Sequence, residues 1–108
     1  MDDKYSIILN TCPDINIAEA LASALVEKKL AACVNILPGI TSVYSWQGKI
    51  EKGKEVLLVI KTRRECYESV EALIREQHPY ELPEVVSVSI EKALPEYLSW
   101  INENVAIK

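Results

Sequence analysis

The chain has 108 residues, enough for one domain with its own core. Twelve Lys and Arg stand against sixteen Asp and Glu, a net charge of −4. That balance argues against a nucleic-acid partner, because phosphate binding wants a basic face. Apolar residues make up 49% of the chain and charged residues 26%, as in ordinary globular proteins, and no apolar run reaches the ~18 residues that a membrane span needs.

The first predicted element is Tyr5 to Thr11, a short run of β-formers that reads as a strand buried on both faces. Cys12-Pro13-Asp14 ends it. Asp14 is a candidate N-cap for the helix that follows, with Asn16 and Glu19 as a competing capping box. Ala18, Leu21, Ala22 and Leu25 recur at helical spacing and mark one apolar face. The helix is expected to reach about Lys29, where Lys28 and Lys29 suit the negative end of its dipole.

Ala32 to Thr62 comes next and organises the chain. It reads as a long outbound arm, broken at Pro38-Gly39 and resuming as Ile40 to Ile50, followed by an antiparallel return arm from Glu55 to Lys61. At about 3.3 Å per strand residue, Ala32 to Glu51 would run roughly 65 Å if straight. A domain of this length is only about 34 Å across. The hairpin must therefore bend, and Pro38-Gly39 is the expected place. Even bent, the end bearing Tyr44 and Trp46 should project past its own core. A projecting ribbon is marginal alone, and its open edges attract other strands. Self-association is the expected outcome, with Tyr44 and Trp46 as interface anchors. A ligand-stacking surface made of these two and Trp100 is the alternative.

After the return arm, Thr62-Arg63-Arg64-Glu65 has capping-box form and predicts a second helix from Thr62 to about Gln77. His78-Pro79 stops it, and Pro79 to Pro83 makes a stiff connector. Glu84 to Glu91 alternates as a strand, with Val86, Val88 and Ile90 on one face. Pro95 opens a closing helix, with Leu94, Leu98 and Ile101 expected to face inward. The order is βαββαβ plus a C-terminal helix. That is the α+β, ferredoxin-like split βαβ arrangement, in one domain spanning residues 1–108, with two helices on one sheet face and the other face bare.

Several side chains invite a chemical reading. His78 is the sole histidine, and with Glu84 and Cys12 it offers imidazole, carboxylate and thiolate donors suited to copper (Cu²⁺) or zinc. Its plain reading is a helix-end histidine that bonds backbone carbonyls. Cys12 lies before a helix N-terminus, where a thiol can be activated, but a nucleophile also needs a base and an oxyanion site. Cys33 and Cys66 read as core fillers. Lys61, Arg63 and Arg64 cluster at a strand-to-helix junction and could bind an anion; the alternative is a solvated junction paired with Glu65 or Glu68. The three cysteines form no CxxC pair, and the acidic start at Met1-Asp2-Asp3 lacks a signal-peptide layout. Reduced thiols and a cytoplasmic location are expected.

Taken together, Lys29-Leu30-Ala31-Ala32-Cys33-Val34-Asn35, Pro38-Gly39, Ser42 to Ile50, Glu55-Val56, Lys61-Thr62, His78-Pro79-Tyr80-Glu81-Leu82-Pro83-Glu84 and Tyr97-Leu98-Ser99-Trp100 resemble the CutA family. These are proteins named for divalent-cation tolerance, and the likeness runs through essentially the whole chain. The resemblance implies a ferredoxin-like subunit in a compact homotrimer whose long hairpins join neighbouring sheets. It further implies a cytoplasmic protein without an established reaction, linked to tolerance of copper and other divalent metals. The metal site proposed for the family uses a cysteine near the end of the first strand with the His and Glu of the HPYxxPE segment. His78 and Glu84 match. At the cysteine's place this chain has Asn10, and its thiol comes two residues later, at Cys12. Two readings from other classes stand beside the metal-response one. The first is a trimeric regulatory module that binds a small anionic metabolite in clefts between subunits; the second is a non-catalytic structural scaffold. An enzyme is the least expected.

Overall fold

The computed structural model describes residues 4–106, so the acidic Met1–Asp3 start lies outside the described residues. The elements follow in the order β1 (Tyr5–Cys12), α1 (Ile15–Glu27), β2 (Cys33–Trp46), β3 (Lys49–Arg63), a short 3₁₀ turn (Arg64–Cys66), α2 (Tyr67–Gln77), β4 (Val86–Ser89) and α3 (Pro95–Glu103). The four strands form one sheet in the order β2-β3-β1-β4, with each neighbouring pair antiparallel. This is the expected ferredoxin-like α+β arrangement.

Register decides which face each side chain takes, because successive strand residues point to opposite sides. Ile8 pairs with Ile60, Asn10 with Leu58 and Cys12 with Val56. All six are buried, and all but Asn10 share one apolar core with Ala18, Leu21 and Leu25 of α1 and with Val70, Leu73 and Ile74 of α2. α3 joins the same core through Ile101, and Val105 follows it. The opposite face carries Ile7, Leu9, Leu57 and Val59, all half-buried, with Val86 and Val88 exposed. β1 is thus buried on one face, not on both; α1 and α2 lie on the first side, and on the second α3 meets the end of β3, where Tyr97 lies by Lys61 and Asn102 accepts from Arg63.

Local chemistry sets the boundaries. Asp14, not Asn16, caps α1, accepting from the Ile17 N–H at 2.9 Å. α1 ends at Glu27, and Lys29 takes the left-handed conformation (φ 59°) that closes a helix C-terminus. The second helix begins later than its capping pattern suggests. Thr62 lies inside β3, where its buried hydroxyl donates to the Leu30 carbonyl at 2.6 Å. Glu65 pairs with Arg63 instead of capping. β4 is four residues long, shorter than the alternation from Glu84 to Glu91 implies. In α3, Ile101 is buried and Leu98 half-buried, but Leu94 is exposed, because it is the residue just before the helix.

The hairpin bends where expected. Pairing is regular from Cys33↔Lys61 to Leu37↔Leu57, shifts across Pro38-Gly39, and resumes at Ile40↔Glu55. Gly39 has φ 81°. The turn falls at Gln47-Gly48, both at positive φ, the signature of a tight two-residue hairpin turn. The return strand therefore starts at Lys49 rather than Glu55. Beyond the bend the arm is almost wholly exposed, Val43 at 64% and Ile50 at 76%. The described residues measure 44 × 27 × 22 Å.

Candidate functional site

Helix α2 delivers His78 to the end of β1. Pro79 holds His78 in extended backbone (ψ 138°), while its N–H closes the helix on the Ile74 carbonyl at 2.8 Å. The buried ring sits beside Thr11. Its Nδ1 accepts the Tyr80 N–H at 3.1 Å, and its Nε2 lies 2.8 Å from the Thr11 carbonyl. A carbonyl only accepts, so these two contacts select the neutral Nε2–H tautomer and occupy both ring nitrogens. The Tyr80 ring packs on the His78 ring, with centroids 4.6 Å apart.

Asn10 fixes the other end of the connector. It is fully buried at a core position of β1, its Nδ2 donating to the Glu84 carbonyl at 2.8 Å. Its Oδ1 accepts from the Cys12 thiol at 3.3 Å. Burial, and then the Glu55 and Asp14 carboxylates, push the Cys12 thiol up to about 11. It stays protonated at neutral pH. Between the two ends, the Tyr80 hydroxyl donates to Glu55 Oε2 at 2.6 Å. Desolvation and that carboxylate hold the phenol well above its usual range. Among the described residues, no buried side-chain N or O atom lacks a partner.

His78 and the Asn10–Cys12 pair are thus both tied to the end of β1, each through its own hydrogen bonds: His78 to the Thr11 carbonyl and the Tyr80 N–H, Cys12 to Asn10. Glu84 meets Asn10 through its backbone oxygen, and its side chain is exposed. Among the described residues, no group of three His, Cys, Asp or Glu could hold a metal ion. The donors of a single chain are not arrayed for copper or zinc as they stand, because both imidazole nitrogens are committed to hydrogen bonds and the Glu84 side chain is exposed. For the same reason His78 is not set to act as a base toward Cys12.

The basic cluster disperses. The Lys61 ammonium lies over the Tyr97 ring, 5.7 Å from its centroid. Arg63 forms a two-pronged pair with Glu65 at 3.1 and 3.3 Å, donates to Asn102 and covers the Tyr5 ring at 5.5 Å. Arg64 lines a different, open cleft with Lys4, Glu65 and Ser87. The three cations thus face different surroundings, and Glu65 lies with Arg64 in its cleft. A cleft of about 350 Å³ between α2 and the connector, lined by Glu71, Arg75, Tyr80 and Leu82, carries mixed charge. Tyr44 and Trp46 are exposed on the hairpin. Trp100, also exposed, stacks on Tyr97 at 5.6 Å, so it is not part of one aromatic surface with them by any contact seen here.

Sequence reasoning passed over Thr11, Tyr80 and Glu55, and noted Asn10 only as a replaced cysteine. One signal was available. Asn10 shares the parity of Ile8 and Cys12, and a polar residue at core parity must find a partner.

Comparison with known proteins places this geometry. The profile of the family described as CutA1 divalent ion tolerance protein matches residues 6–104. The chain is 43% identical over 98 residues to the divalent-cation tolerance protein CutA of Thermus thermophilus, covering 91% of this chain and 95% of that protein. It is 50% identical over 93 residues to a CutA homolog of Xenopus laevis, covering 86% of this chain but 62% of the relative's length. The crystal structure of CutA from Xylella fastidiosa superposes with a TM-score of 0.93 at 44% identity, covering 97% of this chain and all of that one. The comparisons overturn the cytoplasmic expectation. An Arabidopsis thaliana relative, 40% identical, is described as chloroplastic, and a similar Archaeoglobus fulgidus structure is described as a periplasmic divalent cation tolerance protein. Reduced cysteines and an acidic start do not specify a compartment for this fold, since addresses are read from targeting segments and not from the core.

Proposed function

The chain belongs to the CutA1 divalent ion tolerance protein family, and from that membership we propose that it acts in the response to divalent cations as a self-assembled homotrimer without enzymatic activity. The observation that carries this reading is the far hairpin. Val43, Tyr44, Trp46 and Ile50 stand exposed on a ribbon where, among the described residues, no third strand pairs with β2 or β3. The sheet also has two open edges, β2 on one side and β4 on the other. Contact between unlike edges of successive copies is head-to-tail, and such a contact closes into a ring when the rotation permits. The bare sheet face, with Val86 and Val88 at its margin, is then turned inward.

The same reading places the contribution in the assembly rather than in a ready-made metal centre, since His78 and Cys12 are committed to hydrogen bonds. Sedimentation equilibrium on tag-free protein tests it: a species of three 12.1 kDa chains is expected, and a stable monomer at micromolar concentration overturns it.

A further inference from the structure

We propose that the Tyr80–Glu55 hydrogen bond is a latch that couples the connector between α2 and β4 to the root of the projecting hairpin, so that the two take up their positions together. The connector is tied to β1 at both ends, by His78 on the Thr11 carbonyl and by Asn10 on the Glu84 carbonyl. Tyr80 reaches from between these ties to another strand. Its hydroxyl meets Glu55, the residue of β3 that pairs with Ile40, the first paired residue after the Pro38-Gly39 irregularity. The latch therefore closes on the point where the hairpin changes direction.

Three properties suit the contact to this role. At 2.6 Å it has the length of a hydroxyl bonded to a carboxylate, a stronger class than neutral pairs. The Tyr80 ring is held by its packing on His78, so the hydroxyl is aimed before the bond forms. Desolvation keeps the phenol protonated, and hence a donor, across physiological pH. A small rotation here is amplified. Ile40 to Trp46 extends about 24 Å beyond the irregularity, so a 10° change in direction displaces the tip by about 4 Å, enough to misalign an interface that needs close packing. The consequence for assembly rests on the proposed trimer; the coupling itself does not.

A double-mutant cycle read by amide hydrogen exchange tests the latch on the full chain. Tyr80→Phe and Glu55→Ala each remove one side. Each is expected to speed exchange about tenfold or more in both the connector (residues 80–85) and the hairpin root (residues 39–42 and 53–56), with residues 58–61 and α1 unchanged. The double variant should add nothing beyond either single one. Glu55→Gln, whose amide oxygen still accepts, should keep most of the protection. Effects that multiply in the double variant, loosening confined to the connector, or uniform acceleration through the core would each overturn the proposal. Sedimentation of the wild type in parallel separates the two readings. A monomer with a non-additive cycle removes the trimer and keeps the latch, and a trimer with an additive cycle does the reverse.

Discussion

The root and the tip of the β2–β3 hairpin are built from the same two strands and lead opposite lives. At the root, Val56, Leu58 and Ile60 are buried on every second position under α1 and α2. At the tip, Val43, Tyr44, Trp46 and Ile50 are exposed. Composition does not separate them: both halves carry apolar β-formers. What differs is cover. Alternation in a strand states that one face wants burial, and it does not state what buries it. At the root the chain supplies helices, and at the tip no described element covers the exposed side chains; the proposed trimer gives that task to another copy.

The comparison is broken most severely at the root. Ile60→Ala deletes fully buried side-chain atoms between β1, β2 and the helices. A loss of about 2–5 kcal/mol of stability is expected in urea unfolding; a loss below 1 kcal/mol would mean that the root is not the core. Trp46→Asp probes the tip. It should weaken self-association by about 2–4 kcal/mol, the scale of an interface hot spot, while the dissociated chain keeps its far-UV circular dichroism. An equal loss of fold and association would erase the distinction between the two regions.

His78→Ala acts between them. It leaves the Thr11 carbonyl and the Tyr80 N–H without the imidazole, which costs about 1–3 kcal/mol. Calorimetric titration with Cu(II) or Zn(II) should be no different from wild type. A variant that keeps its stability and loses metal affinity would restore His78 as a ligand. The last effect is silent at neutral pH and concerns Cys12. Its folded-state pKa, about 11, lies above the ordinary thiol value of 9.0, so the folded chain holds this proton more tightly than the unfolded one. The resulting stabilisation is complete below pH 9 and fades as the pH rises through 11. It is of order 2–3 kcal/mol, and the pH-dependent difference in stability between wild type and Cys12→Ala across that window should reveal it. A difference independent of pH would show that the thiol does not titrate differently in the two states.

Local signals in the sequence carried the fold far. The Pro38-Gly39 bend, the α1 face of Ala18, Leu21 and Leu25, the stop at His78-Pro79 and the order of elements along the chain all follow from neighbouring residues acting on one another. The errors have the same origin. Thr62 reads as a cap because Glu65 stands three positions on, yet its partner is the Leu30 carbonyl, 32 residues away. The Gln47-Gly48 turn was masked by treating Ile40 to Ile50 as continuous. The candidate site was the least legible. Asn10 with Glu84, His78 with Thr11 and Tyr80 with Glu55 meet across 74, 67 and 25 residues. Contacts of that span leave no periodicity behind, and donor types alone made the same residues resemble a metal set.

Hydrogen exchange over a dilution series, with association followed in parallel by sedimentation, tests most directly whether other copies complete the hairpin. Amides of residues 41–46 and 49–53 should lose protection as the protein is diluted through dissociation, while residues 56–62 stay protected. Tip protection that persists unchanged in a dilute monomer would contradict it.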